Sequence, residues 1–230
     1  MKNNIALILM VLAVFACKDV QKVSKVDTNQ QDQDSIPGMT TAKLIAYENG
    51  LEAWDDISEI KFTFNVDRGE RHFERSFTWR PKSGDVVYMT LNDTVAFNRN
   101  LEMDSLQIRA DQAFINDKYW LLAPFHLVWD QGKAFLEKEN QLAPISKDTM
   151  DMITITYGKE GGYTPGDAYD LFFGNDLIVK EWVFREGNDS VPTMATTWED
   201  YKDFNGINIA TMHQDSTGNF KLYFTNISVK

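Results

Sequence analysis

The sequence predicts an α+β fold in which one large, curved antiparallel sheet of about ten strands packs against two or three helices. Three observations lead to this prediction. Apolar residues recur every three to four positions near residue 45, and they alternate with polar residues over most of the chain beyond residue 60. Turn clusters rich in Gly, Asn and Asp separate the alternating segments at the spacing typical of an antiparallel sheet.

The first element is an export signal that precedes the domain. Lys2 supplies a positive charge, and residues 5–16 (IALILMVLAVFA) are uncharged and almost wholly apolar, which is the length of a secretory signal and too short to span a bilayer. The residues before Cys17 resemble the bacterial lipobox, with aliphatic Val14 three positions back and small Ala16 directly before the cysteine. We expect residues 1–16 to be a lipoprotein signal peptide. An ordinary signal peptide that ends in a chance cysteine remains the alternative.

Cys17 is the predicted site of lipidation. The lipobox resemblance implies a diacylglyceryl thioether on its thiol and a further acyl chain, such as palmitate, on its amine. Cys17 is also the only cysteine of the chain, which suits export because oxidising compartments pair stray thiols. Each buried methylene contributes roughly 0.8 kcal/mol, so two or three acyl chains would hold the protein on a membrane. We expect a cell-envelope location, most simply the outer membrane, with the membrane face left open.

A polar tether follows the lipidation site. Residues 17–38 carry few apolar side chains among Lys, Asp, Gln, Ser and Asn, and they end in Pro37-Gly38. Such a segment cannot offset its ordering entropy by burial. We therefore place the folded domain at residues 39–230.

The domain begins with an amphipathic helix and continues as strands. Thr40 or Thr41 caps a helix that runs through about Trp54, a short helix spans Ala113–Leu122 before Pro124, and residues 125–129 alternate again. The other segments with period-two alternation are 62–66, 73–79, 86–89, 94–97, 152–157, 168–173, 177–184, 194–201, 207–213 and 221–229.

The order of these elements resembles the LolA/LolB-like superfamily of periplasmic lipoprotein carriers and their outer-membrane receptors. The resemblance rests on the closing section, residues 169–188, 197–213 and 224–229, with a turn formed by Tyr201, Phe204, Gly206 and Ile207. Residues 114–130 (FINDKYWLLAPFHLVWD) also resemble a block of secreted proteins of this fold that have no assigned activity. The superfamily implies an unclosed β-barrel, with helices on its concave side and an apolar interior that holds acyl chains.

The resemblance implies that aromatic side chains line this interior. The cavity-lining candidates are Phe62, Phe64, Trp79, Trp120 and Trp182. The competing interpretation is that most aromatic residues simply pack helix against sheet. The implied partners are the membrane, through acylated Cys17, and a lipid or acyl ligand; the oligomeric state is left open.

Catalytic and metal-binding motifs are not recognisable. His72, His126 and His213 lie on separate predicted strands without zinc-site spacing, and no G-x-S-x-G motif occurs. The loop 158–170 carries glycines and carboxylates, but it lacks the alternation of a calcium-binding EF-hand loop. We therefore expect no cofactor, no metal and no enzymatic activity.

The charge of the chain argues against nucleic acid as a partner. The chain contains 23 Lys and Arg residues and 34 Asp and Glu residues, which gives a net charge of -11. Three hypotheses remain, in order of preference. The chain is a lipoprotein that binds an apolar ligand, an adaptor whose core is filled by its own side chains, or an unrecognised envelope hydrolase.

Overall fold

The computed structural model describes residues 38–160 and 164–230. The predicted signal peptide, Cys17 and the tether up to residue 37 therefore lie outside the described residues. The described part contains the α-helices α1 (Thr41–Glu48) and α2 (Ser105–Trp129) and two short 3-10 helices, Leu51–Asp56 and Glu186–Asn188.

The described part also contains twelve β-strands. They are β1 (Ile60–Arg68), β2 (Arg71–Arg80), β3 (Asp85–Met89), β4 (Thr94–Asn98), β5 (Lys133–Leu142), β6 (Thr149–Tyr157), β7 (Ala168–Phe173), β8 (Val179–Arg185), β9 (Met194–Thr197), β10 (Glu199–Phe204), β11 (Ile207–Gln214) and β12 (Phe220–Val229). A seven-stranded sheet has the spatial order β10-β11-β12-β1-β2-β3-β4, and a five-stranded sheet has the order β5-β6-β7-β8-β9. Neighbouring strands are antiparallel throughout.

Trp198 joins the two sheets. It is the single residue that separates β9, an edge strand of the five-stranded sheet, from β10, an edge strand of the seven-stranded sheet. Its N–H donates to the carbonyl oxygen of Lys180 on β8 at 2.7 Å, while the next residue, Glu199, pairs with Met212 on β11. The β9–β10 segment thus leaves one sheet and enters the other, so the two sheets follow each other around a bend.

Helix α2 connects the opposite edges, β4 and β5. Asp104 caps its N-terminus, and Asp104 and Gln107 form a complete capping box. Leu122 has non-helical dihedral angles (φ -131°), two residues before Pro124. Because proline lacks an N–H and its ring clashes with the preceding turn, this kink has a local cause.

Helix α1 ends early because the chain must turn sharply at Gly50. Gly50 has φ 96°, a left-handed conformation that side chains with a Cβ rarely adopt. A Cβ at this position would lie 1.9 Å from the carbonyl oxygen of Gly206, in the β10–β11 turn. The backbone N–H of Asn208 also donates to the carbonyl oxygen of Asn49 at 3.0 Å, so this corner packs directly on the sheet.

The predicted α+β class with an unclosed, curved antiparallel sheet and a few helices is confirmed, but several details were wrong. The strands number twelve and form two sheets. The first helix ends at Glu48, before the 3-10 helix, and the predicted short helix at 113–122 is part of the much longer α2. Residues 125–129, predicted to alternate as a strand, are helical, so His126 lies on α2. Strand β5 was not predicted.

Candidate functional site

A cavity of about 590 Å³ lies between helix α2 and the inner faces of both sheets. This volume is within the range of about 300–1,000 Å³ that is usual for ligand pockets. Its walls are formed by side chains of β1, β2, α2, β8, β9 and β12. The lining residues are Phe64, Val66, Arg68, Arg71, His72, Phe73, Asn116, Trp120, Phe184, Met194, Phe220 and Leu222.

Three adjacent strands build the main wall in register. Side chains alternate across a strand, and directly opposed residues of paired strands share a face, so the lining residues Phe64, Val66 and Arg68 of β1 lie on one face with their partners on β2 and β12. The rungs of this wall are Phe64 with Arg75 and Phe224, Val66 with Phe73 and Leu222, and Arg68 with Arg71 and Phe220.

The wall changes from apolar to cationic along the strands. Phe64 is 3% exposed and Val66 is half-buried, whereas Arg68 at the end of β1 is exposed. On β2, Phe73 is 47% exposed and Arg71 is also exposed. The buried end of the cavity wall is therefore aromatic, and its exposed end, the mouth of the cavity, carries Arg68 and Arg71.

An ion pair fixes α2 over this wall. Nε and Nη2 of Arg75 each donate to a carboxylate oxygen of Asp117 on α2, both at 2.6 Å. Burial raises the pKa of Asp117, and the hydrogen bonds from Arg75 and Asn116 oppose that shift. The guanidinium also lies 5.3 Å from the ring centre of Phe64, at cation–π distance. The pair holds Asn116 and Trp120, the lining residues of α2, in place.

The cavity includes two of the five aromatic residues predicted to line it. Phe64 and Trp120 belong to the lining, whereas Phe62, Trp79 and Trp182 do not and are part of the packed core. Phe62 packs against Phe77 with ring centres 5.2 Å apart, Trp79 packs against Phe114 at 5.4 Å, and Trp182 packs against Trp120 at 4.3 Å.

Sequence reasoning missed the polar part of the lining and the wall on β8, β9 and β12. The arginines of the β1–β2 hairpin continue the same alternation as the predicted apolar residues, so the pattern VDRGERHFER could have placed Arg68 and Arg71 beside Phe73. Phe184 and Met194 carried no comparable signal. They reach the cavity because the chain bends at Trp198.

Buried polar groups without a hydrogen-bond partner among the described residues lie in the core next to Trp120. Among the described residues, no partner reaches Nε1 of Trp182, Nε1 of Trp198 or Nε2 of His213. The rings of Trp198 and His213 are 4.5 Å apart, and those of Trp120 and His213 are 5.4 Å apart. Burial lowers the pKa of His213 to about 3, so its ring is neutral near pH 7.

A second cluster of polar side chains joins the end of α2 to β6. His126 Nδ1 lies 2.8 Å from Oδ1 of Asp130, and the hydroxyl of Tyr157 donates to Oδ2 of Asp130 at 2.7 Å. Tyr119 and Tyr157 share a hydrogen bond of 3.0 Å. Burial lowers the pKa of His126 to about 4, and burial raises the pKa of Tyr157 far above its ordinary value. These residues are not among the cavity lining, and their hydrogen bonds connect packed elements.

The remaining histidine, His72, belongs to no metal centre within the described residues. His72 Nδ1 lies 2.7 Å from Oδ1 of Asp67, and this hydrogen bond raises the pKa of His72. Within residues 38–160 and 164–230, no group of three or more His, Cys, Asp or Glu side chains is arranged to hold a metal ion. The loop 158–170 includes three residues outside the described ranges. No α-helix in the described part combines the length and apolarity needed to cross a bilayer.

Comparisons with known proteins identify similar solved structures but no similar sequences. No family profile and no curated protein matches the chain. A LolA superfamily protein from Nitrosomonas europaea is 11% identical, with 84% of this chain and 94% of that chain covered and a TM-score of 0.48. A DUF1329 family protein from Desulfovibrio piger is 12% identical, with 82% and 91% covered and a TM-score of 0.47.

A third similar structure is an outer membrane lipoprotein-sorting protein domain from Vibrio parahaemolyticus. It is 7% identical, with 80% of this chain and 93% of that chain covered and a TM-score of 0.41.

Proposed function

We propose that this chain is an envelope lipoprotein that binds a lipid or acyl chain in the cavity between α2 and the two sheets, without covalent chemistry. The observation that carries the proposal is the cavity itself, about 590 Å³ in volume, whose lining consists mainly of apolar side chains. Pockets of this size and chemistry bury most of the surface of a small apolar ligand. The cavity lining contains no cysteine or serine side chain that could act as a nucleophile.

The proposal includes attachment to the membrane through Cys17. Acylation at this residue would place the domain, residues 39–230, beside the outer membrane at the end of the tether 17–38. Growth with an alkyne analogue of palmitate tests this part. We expect labelling of the wild-type chain, loss of label in Cys17→Ser, and retention of label in Lys18→Gln, which leaves the lipobox unchanged. Equal labelling of Cys17→Ser would contradict the anchor.

Native mass spectrometry tests the cavity. The full chain carrying Cys17→Ser would be purified gently from its host and measured before and after organic extraction, so that no covalently bound lipid is counted. We expect an additional mass that matches a lipid and that extraction removes. A bare polypeptide mass that also gains no added fatty acid would contradict the proposal.

A variant that fills the cavity shows where the ligand binds. Met194 lies on edge strand β9 and lines the cavity, so Met194→Trp should reduce ligand uptake. Val191, which is 68% exposed outside the lining, provides the matched control Val191→Trp. Thermal unfolding of both variants would check that they fold. Equal uptake by the two folded variants would place the ligand elsewhere.

The adaptor hypothesis also has support in the structure. Phe62, Trp79 and Trp182 pack tightly in the core, so the protein fills much of its own interior. This alternative predicts that no lipid is bound and that a protein partner copurifies with the gently isolated chain.

A further inference from the structure

The mouth of the cavity carries two arginines on the last rung of a hairpin. Arg68 ends β1 and Arg71 begins β2, and their Cα atoms are direct partners in the antiparallel register. Gly69 and Glu70 form the connection, with Gly69 at φ 58°. Two like charges opposite each other on paired strands destabilise a sheet. The pairing of Arg68 with Arg71 is therefore unfavourable by itself.

No carboxylate of the described residues pairs with these arginines. Among the described residues, no Asp or Glu oxygen lies within 4.0 Å of the guanidinium of Arg68 or Arg71. Four other arginines have such a partner: Arg75, Arg80, Arg99 and Arg185. In a chain with a net charge of -11, two unpaired arginines at one place are unexpected.

The neighbouring acidic residues are engaged on another face. Asp67 and Glu74 both contact His72, at 2.7 Å and 3.4 Å. Their positions in the strands alternate with those of the cavity-facing residues Arg68 and Phe73. Asp67 and Glu74 thus lie on the opposite side of the strands from Arg68 and Phe73, and they pair with His72, which also borders the cavity.

The apolar wall lies directly against the arginines. The guanidinium of Arg68 is 5.2 Å from the ring centre of Phe220, another lining residue. Val66 and Leu222 occupy the next rung inward, and Phe64 and Phe224 occupy the rung after that. A molecule that lies along this wall would meet aliphatic and aromatic side chains inside the cavity and two cations at its mouth.

We propose that the cavity ligand is an anionic amphiphile with one aliphatic chain, whose chain occupies the apolar cavity and whose carboxylate or phosphate contacts Arg68 and Arg71. This inference rests on the proposed function and specifies its ligand class. Guanidinium groups form charge-assisted, often bidentate hydrogen bonds with both anions. An anionic headgroup would also remove the repulsion between the two arginines, because it is attracted to both.

Isothermal titration calorimetry with matched ligands tests the inference. The delipidated full chain carrying Cys17→Ser would be titrated with dodecanoate and with dodecanol at about pH 8, where the acid is ionised. We expect dodecanoate to bind about tenfold more tightly than dodecanol, the effect of two partly exposed charge pairs. Added salt should reduce this difference because it screens exposed charges.

Two variants identify the charges responsible. The double variant Arg68→Gln/Arg71→Gln should bind dodecanoate about as weakly as dodecanol, with the affinity for dodecanol unchanged. Arg109→Gln is the matched control, because Arg109 is exposed, has no carboxylate within 4.0 Å among the described residues, and lies outside the cavity lining. It should keep the full preference for dodecanoate.

The outcomes separate this inference from the proposed function. Equal affinities of wild type for dodecanoate and dodecanol would overturn the anionic headgroup but leave an apolar binding site. A double variant that keeps the preference for dodecanoate would also overturn it. Binding of neither ligand would overturn the proposed function and this inference together. Titration with dodecanoyl lysophosphatidate then distinguishes the headgroups, since the tighter, arginine-dependent ligand identifies carboxylate or phosphate.

Discussion

Removal of Arg75 should show how strongly the stability of the fold depends on the ion pair between β2 and α2. Arg75→Leu leaves the carboxylate of Asp117, whose side chain is 0% exposed, without its two hydrogen bonds of 2.6 Å. Breaking a buried pair in this way costs about 3–5 kcal/mol. For a domain of this size, that loss lowers the melting temperature by about 6–20 °C.

The loss of stability should depend on pH. Burial already raises the pKa of Asp117, and removal of the arginine raises it further because the opposing charge and hydrogen bonds of Arg75 are gone. A carboxyl group whose pKa is higher in the folded state destabilises the fold when it is ionised. The difference between Arg75→Leu and wild type should therefore be largest at neutral pH and shrink as the pH falls through the raised pKa.

Urea denaturation followed by circular dichroism, at neutral and acidic pH, measures both effects. Arg80→Leu is the control, because Arg80 pairs with Glu59 at 2.8 Å on the surface, where such a pair contributes about 1 kcal/mol or less. The double variant Arg75→Leu/Asp117→Leu should recover much of the lost stability, since no charge remains buried. A cost for Arg75→Leu no larger than that for Arg80→Leu, or one independent of pH, would refute the reasoning.

Three further predictions concern stability and are checked by chemical denaturation. Gly50→Ala should lower the free energy of unfolding by at least about 2 kcal/mol, because φ is 96° and the new Cβ would meet the carbonyl oxygen of Gly206. The control Gly218→Ala, at φ 70° and with no atom within 4 Å of the new Cβ, should lower it clearly less. Tyr157→Phe should cost about 1–3 kcal/mol, because Asp130 and Tyr119 both lose a hydrogen bond; equal stability would mean that this buried cluster is not needed. Thr196→Val should leave stability unchanged or raise it by up to about 1 kcal/mol, because the buried hydroxyl has no partner among the described residues. A loss of stability above about 1 kcal/mol would contradict this reasoning.

The alternation of apolar and polar residues predicted most of the strands. It failed where a strand is almost fully exposed and where a helix is buried on every side. Strand β5 is exposed over nearly its whole length, so no apolar face marked it in the sequence. Residues 117–127 of α2 are buried on every side, so that part of the helix has no polar stripe and no period of 3.6. In residues 125–129 the apolar residues happened to alternate, and this short pattern was wrongly assigned to a strand.

The sequence by itself determined the α+β class, the antiparallel strands and the alternation that gives each strand an inner face. Only the tertiary structure decided which aromatic residues line the cavity and which fill the core. The wall joins Val66 to Leu222, and Met194 completes it from the other sheet. These residues are distant in sequence and meet through strand register, the bend at Trp198 and the position of α2. Because local patterns do not encode such long-range pairings, Phe62, Trp79 and Trp182 could not be distinguished from Phe64 and Trp120 before the fold was known.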